Sequence, residues 1–140
     1  MSEESTTPDL VELTRHLFSS VNEGDLDRMM GFFGPYSLWD VTPWGLGAHS
    51  GTAAIRGFLE NWIGSFDEYR VEVEEMLGLD NGVVLVIATQ YAHSAGSRGQ
   101  LRLRYAPVFV WANEVAVLVT HYRDIDEARA AAERLAESGE

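Results

Sequence analysis

The chain has 140 residues, no cysteine, and 22 acidic against 10 basic side chains, for a formal net charge of −12. The length suits one domain, and 46% apolar residues suffice to fill its core. The charge disfavours nucleic acid and anionic membranes, which bind through clustered Lys and Arg. The missing cysteine excludes disulfides, thiolate catalysis and cysteine-based zinc sites.

Residues 1–8 read as a loose polar tail, without the basic and apolar regions of a signal peptide. Residues 9–137 read as a single domain, and no apolar run approaches the roughly 18 residues of a membrane span. A cysteine-free chain of this kind suits the cytoplasm. Thr7 is a candidate N-cap with Pro8 at the first helical position. Leu10, Leu13, Leu17 and Val21 then repeat at helical spacing, and Gly24 is a suitable C-terminal cap. Asp25 caps a short second helix with Leu26, Met29, Met30 and Phe33, stopped by Gly34-Pro35. Residues 36–41 read as a short strand, and residues 43–51 as a glycine-rich loop. Thr52 is the expected cap of a third helix with the stripe Ile55, Leu59, Trp62 and Phe66.

After Asp67 the apolar period changes to two: Tyr69, Val71 and Val73 alternate with Arg70, Glu72 and Glu74. The alternation slips at Glu75-Met76, which predicts a bulge. Asp80-Asn81-Gly82 predicts a hairpin turn. Residues 83–88 are continuously apolar, as in a strand covered on both faces. Residues 94–99 form the next turn, residues 101–111 a long strand, and Ala112-Asn113-Glu114 returns it into residues 115–124. Pro107 suggests an edge or a kink, because it lacks a ladder donor. Residues 125–136 close the chain as a helix, with Arg129 and Glu133 paired on its wet side. Helices followed by a strand meander give an α+β fold.

The chemistry concentrates in Trp39-Asp40-Val41-Thr42-Pro43-Trp44. A carboxylate among aromatic side chains is a candidate general base, because burial disfavours its charged form. The alternative is that Asp40 caps the turn through Thr42 and stays solvated. His121 shares the inward phase of Val117 and Val119. It is either a proton-transfer partner or a hydrogen-bonded core histidine. Trp39, Trp44, Trp62, Tyr105 and Phe109 are candidate walls of a site for a flat apolar ligand, with core packing as the alternative. Arg102 and Arg104 alternate with apolar neighbours and belong on the outer or interface face, with Arg104 reaching a pocket anion as the alternative. Phosphate loops, a nucleophile elbow and a His-Glu-x-x-His zinc motif are all missing, so neither a cofactor nor a metal is expected.

Asn22-x-Gly24-Asp25-Leu26-Asp27, Phe32-Phe33, Trp39-Asp40, residues 50–56 (Ser-Gly-Thr-Ala-Ala-Ile-Arg) and Tyr122-Arg123-Asp124 together make the chain resemble the SnoaL-like and ketosteroid-isomerase-like families of the nuclear-transport-factor-2-like superfamily. The resemblance spans residues 10–135. It implies a cone: a strongly curved, mainly antiparallel sheet packed on the N-terminal helices, with a C-terminal helix and an apolar pocket at the wide end. It also implies a homodimer through the sheet face. Implied activities are cofactor-free isomerisation, polyketide cyclisation and epoxide hydrolysis; a non-catalytic ligand-binding or dimerisation domain is the alternative. Asp40 matches the isomerase general base. The isomerases' two oxyanion donors, a tyrosine and a protonated aspartate, fall on Leu17 and near Pro107, which cannot donate. His121 takes the place of the epoxide hydrolases' water-activating aspartate, and Asp40 with His121 could serve the cyclases' acid–base chemistry.

Overall fold

The computed structural model describes residues 9–94 and 99–138. Helix α1 (Leu10–Asn22) begins at Asp9, whose carboxylate accepts hydrogen bonds from the backbone N–H of Val11 and Glu12. The cap expected at Thr7 lies outside the described residues, and Asp9 fills that role here. Gly24, at φ +73°, turns the chain out of α1 into the short α2 (Leu26–Met30), capped by Asp25 as expected. The first strand, β1 (Leu38–Asp40), is shorter than the sequence suggested. The glycine-rich loop after it holds a second strand that the sequence did not reveal, β2 (Ala48–Ser50). Helix α3 (Thr52–Gly64) starts after Gly51, with no side-chain cap, so Thr52 is its first residue and not its cap.

Four long strands follow: β3 (Phe66–Gly78), β4 (Val83–Ser94), β5 (Gln100–Ala112) and β6 (Val115–Tyr122), then helix α4 (Ile125–Ser138). They form one six-stranded sheet in the order β2-β1-β6-β5-β4-β3. Its pairs are antiparallel except β1 on β6, which is parallel. Register shifts interrupt β3 between Val73 and Glu75 and β5 at Val110/Trp111. Such bulges increase local twist and bend a sheet. Asn81 (φ +63°) and Gly82 (φ +79°) make the β3–β4 turn. A Cβ on Gly82 would sit 2.3 Å from the Trp111 carbonyl oxygen, so the close approach requires glycine.

The two faces of the sheet carry separate cores. Leu17, Phe18, Met29, Ile55 and Leu59 of α1–α3 pack on one face against Val71, Val84, Val86, Phe109 and Val119. Helix α4 packs Ala128 and Ala132 on the other face against Val83, Leu85, Ala106 and Val108. Strand β4 is therefore covered on both sides, as its unbroken apolar run implied. Pro107 is fully buried in the central strand β5 and not at an edge. The β4–β5 pairing lapses between Leu85/Val108 and Ala88/Tyr105, where a residue without an N–H costs no ladder bond. Arg129 reaches Glu75 at 3.6 Å across to the sheet, not Glu133 on its own helix.

Polar clamps fix the helices to the sheet. Asn22 bonds both backbone groups of Val71 on the edge strand β3, at 2.9 and 2.8 Å. The Trp111 indole N–H donates to Thr14 Oγ1 at 3.0 Å, and that hydroxyl donates to the Leu10 carbonyl. Ser37 Oγ donates to the Ala116 carbonyl at 2.7 Å, tying the turn before β1 to β6.

Candidate functional site

Strand β1 lies parallel to β6, with Trp39 opposite Val119 and Asp40 opposite Thr120. Successive strand residues face opposite sides of a sheet. Trp39 goes to the helix-covered face with Val119 and is buried; Asp40, half-buried, goes to the other. The Asp40 carboxylate accepts hydrogen bonds from the Thr42 backbone N–H (3.0 Å) and the Thr42 hydroxyl (2.6 Å), through the same oxygen. This is the turn-capping arrangement raised as the alternative for Asp40. Thr42 is also the first residue of a 3₁₀ turn, Thr42–Trp44, closed by Gly45 at φ +74°. The Arg123 guanidinium lies 5.0 Å from the centre of the Trp44 ring.

Behind Trp44 a cavity of about 70 Å³ opens between the sheet and the helices. Trp39, Trp44, Trp62, Tyr105, Phe109 and His121 all line it. The five aromatic side chains expected to form a pocket wall are thus brought together with the histidine. Asp40 is not among the lining residues, and among the described residues no Asp, Glu, Lys or Arg lines the cavity. Trp111 does not line it and is bonded to Thr14 in the core.

The cavity has two polar regions. In the first, His121 follows Val119 on the inward face of β6, as its spacing predicted, and is 6% exposed. Its ring centre lies 4.3 Å from that of Trp39 and 6.0 Å from the stacked Tyr105. Burial pulls its pKa down from 6.5 to about 3, and the nearby Asp40 charge opposes that fall. His121 is therefore a neutral imidazole at pH 7. His121 Nε2 and Trp39 Nε1 are both buried with no hydrogen-bond partner among the described residues.

In the second region, Gln90 Oε1 on β4 accepts from the Tyr69 hydroxyl (2.6 Å) and the Trp62 indole N–H (3.2 Å). Burial raises the Tyr69 pKa above its ordinary value, outweighing the neighbouring Trp62 N–H, which favours the charged form. Burial, reinforced by Tyr69, likewise holds Tyr105 protonated. Every titratable group lining the cavity is neutral near pH 7. Sequence reasoning missed Gln90 and Tyr69. The available signal was that Gln90 continues the inward phase of Val86 and Ala88, which makes it a polar side chain in a core strand.

No group of three His, Cys, Asp or Glu that could hold a metal occurs among the described residues. No helix among them is long and apolar enough to cross a membrane.

Comparison with known proteins gives one family match. A model of the SnoaL-like domain matches residues 14–119. No curated protein matches the chain. Among solved structures, an NTF2-like protein of unknown function from Burkholderia pseudomallei is 19% identical with a TM-score of 0.73, covering 93% of this chain and 98% of that one. An LEH-like epoxide hydrolase from M. tuberculosis is 15% identical with a TM-score of 0.69, covering 89% and 90%. A protein with a ketosteroid isomerase-like fold from Catenulispora acidiphila, in complex with trimethylamine, is 14% identical with a TM-score of 0.71, covering 91% and 95%. At these identities the likeness is one of fold.

Proposed function

This chain belongs to the SnoaL-like domain family, and from that premise we propose that it binds a small, uncharged, largely apolar molecule in the cavity behind Trp44. The observation that carries the reading is the make-up of the wall: aromatic and aliphatic side chains, neutral polar groups, and no charged side chain among the described residues. An ion there would lose its hydration without gaining a counter-charge. A flat apolar molecule would exchange water for aromatic surface, at about 25 cal/mol per Å² buried. Asp40 acts in this reading as the anchor of the turn that presents Trp44, since its carboxylate is bonded to Thr42.

Indane, a neutral bicyclic hydrocarbon, is the test ligand. At ten times its Kd it should raise Tm by roughly 4 °C, because binding to the folded state alone adds about 1.4 kcal/mol. The rise should disappear in Val21→Phe, which enlarges a wall residue. No rise in wild type, or an equal rise in the variant, contradicts the reading.

A second reading, cofactor-free proton transfer, is favoured by one observation: Asp40 on β1 pairs with Thr120 on β6, the residue next to His121 on the cavity wall. Asp40 would be the base and His121 its neutral partner. Double-bond migration in a β,γ-unsaturated cyclohexenone and hydrolysis of cyclohexene oxide test it. This reading requires turnover of one of them by wild type, reduced at least a hundredfold in Asp40→Asn and in His121→Ala. Full activity in both variants sinks it.

A further inference from the structure

The cavity behind Trp44 is smaller than the molecules proposed to fill it. Its volume is about 70 Å³, whereas a cavity of about 150 Å³ is the size that takes up benzene. A bicyclic molecule such as indane therefore enters only if a wall moves. Most of the wall belongs to the framework. All of its residues except Val41, Trp44 and Leu46 stand on a helix or on a strand of the sheet, and Val41 is buried in the core. Trp44 and Leu46 stand on the loop between β1 and β2. Leu46 is 41% exposed, and among the described residues it is the one exposed side chain in the wall.

The loop is tied unevenly. Its first limb is fixed by Asp40, whose carboxylate holds Thr42. Its second limb carries Gly45 and Gly47, at φ +74° and +84°, on either side of Leu46. A Cβ at Gly45 would meet nothing within 4 Å, so that glycine serves the backbone and not a tight contact. The Val41 N–H donates to the Gly47 carbonyl at 2.9 Å and closes the neck of the loop. Beyond the neck, the exposed Arg123 guanidinium lies over the Trp44 ring, 5.0 Å from its centre. That contact joins the tip of the loop to the chain just after β6.

We propose that Trp44 and Leu46 form a gate that swings out on the glycine limb to admit the ligand, and that Arg123 is the latch holding Trp44 in the closed position. The gate rests on the pocket reading above and adds a moving wall to it. Because the closed cavity cannot hold a bicyclic molecule, Trp44 is displaced in the complex and its contact with Arg123 is broken. The latch therefore opposes binding, since apparent affinity scales with the fraction of protein that is open.

The experiment measures the calorimetric Kd of indane for wild type, Arg123→Gln, Trp44→Leu and the double variant. Arg123→Gln should bind indane roughly two- to fivefold more tightly than wild type, the gain in open fraction when an exposed cation–π contact is lost. In the Trp44→Leu background the same Arg123 substitution should leave the Kd unchanged, because the latch has no ring to hold. If the leucine variant does not fold, the Trp44 indole N–H signal replaces it: in ligand-free Arg123→Gln it should move from its wild-type position toward its indane-bound position. Binding by Arg123→Gln that equals or falls below wild type overturns the gate and leaves the pocket reading standing. A gain that persists without Trp44, or a Trp44 signal that Arg123→Gln leaves in place, overturns the latch. Saturable binding of indane by neither wild type nor Arg123→Gln overturns the pocket reading itself.

Discussion

Asp40 and Thr42 stand two residues apart, and that spacing governs the carboxylate. The Thr42 backbone N–H and hydroxyl both fall on one Asp40 oxygen, as in the local side-chain turns typical of Asp. The sequence offered both a buried base and this turn. It could not choose, because the choice depends on which face of β1 receives Asp40, and that is set by pairing with β6. His121 was more legible: its phase with Val119 holds, and its burial follows. Its consequence is a pH dependence. The folded-state pKa of about 3 lies below the ordinary 6.5. The unfolded chain therefore takes up a proton first on acidification. The stability contributed by neutral His121 is complete above about pH 6.5 and is lost as pH falls toward 3, by up to about 1.4 kcal/mol per unit. Between about pH 6.5 and 5, wild type should lose about 2 kcal/mol more unfolding free energy than His121→Phe, measured by urea titration. Equal losses in the two proteins would show that His121 is not buried neutral.

At the scale of elements, the long strands and helices were plain in the periodicity, while the short pieces were not. β2 is three residues inside a glycine-rich loop and shows no alternation to detect; it exists because β1 offers it an edge. The caps of α1 and α3 shifted by one or two residues, since several capping residues stand near each start. Of the two places the sequence allowed Pro107, an edge fails: it stands in a central strand, at a point where the β4–β5 ladder lapses. The α1–β5 contact depends on Thr14, which takes the Trp111 indole N–H in the buried core. Thr14→Val keeps the shape and removes the acceptor. It should cost about 1–3 kcal/mol, the usual penalty for an orphaned buried donor. A loss below about 0.5 kcal/mol in urea unfolding would mean that the indole finds another acceptor.

At the scale of the whole molecule, the sheet separates two tasks. One face and α4 make a small closed core. The other face, with α1–α3, makes the larger core that contains the cavity. Outward-facing residues of β3–β5 carry ion pairs and stacked cations: Arg104 on Glu74, and Arg70 and Arg102 over Tyr91. These charged side chains stay outside, and among the described residues none lines the cavity. The fold class was legible because period and element order survive in the sequence. The pocket's polar groups were not, because Gln90, Tyr69 and Trp62 meet only when β3, β4 and α3 are assembled.

Binding in the cavity is read most directly by following the four tryptophan indole N–H signals by NMR while indane is added. Trp39, Trp44 and Trp62 line the cavity, whereas Trp111 is tied to Thr14 outside its wall. Occupancy of the cavity should give saturable shifts of the first three with a common Kd, and a Trp111 signal that moves little. Four signals that stay still, or that drift together without saturating, would contradict it.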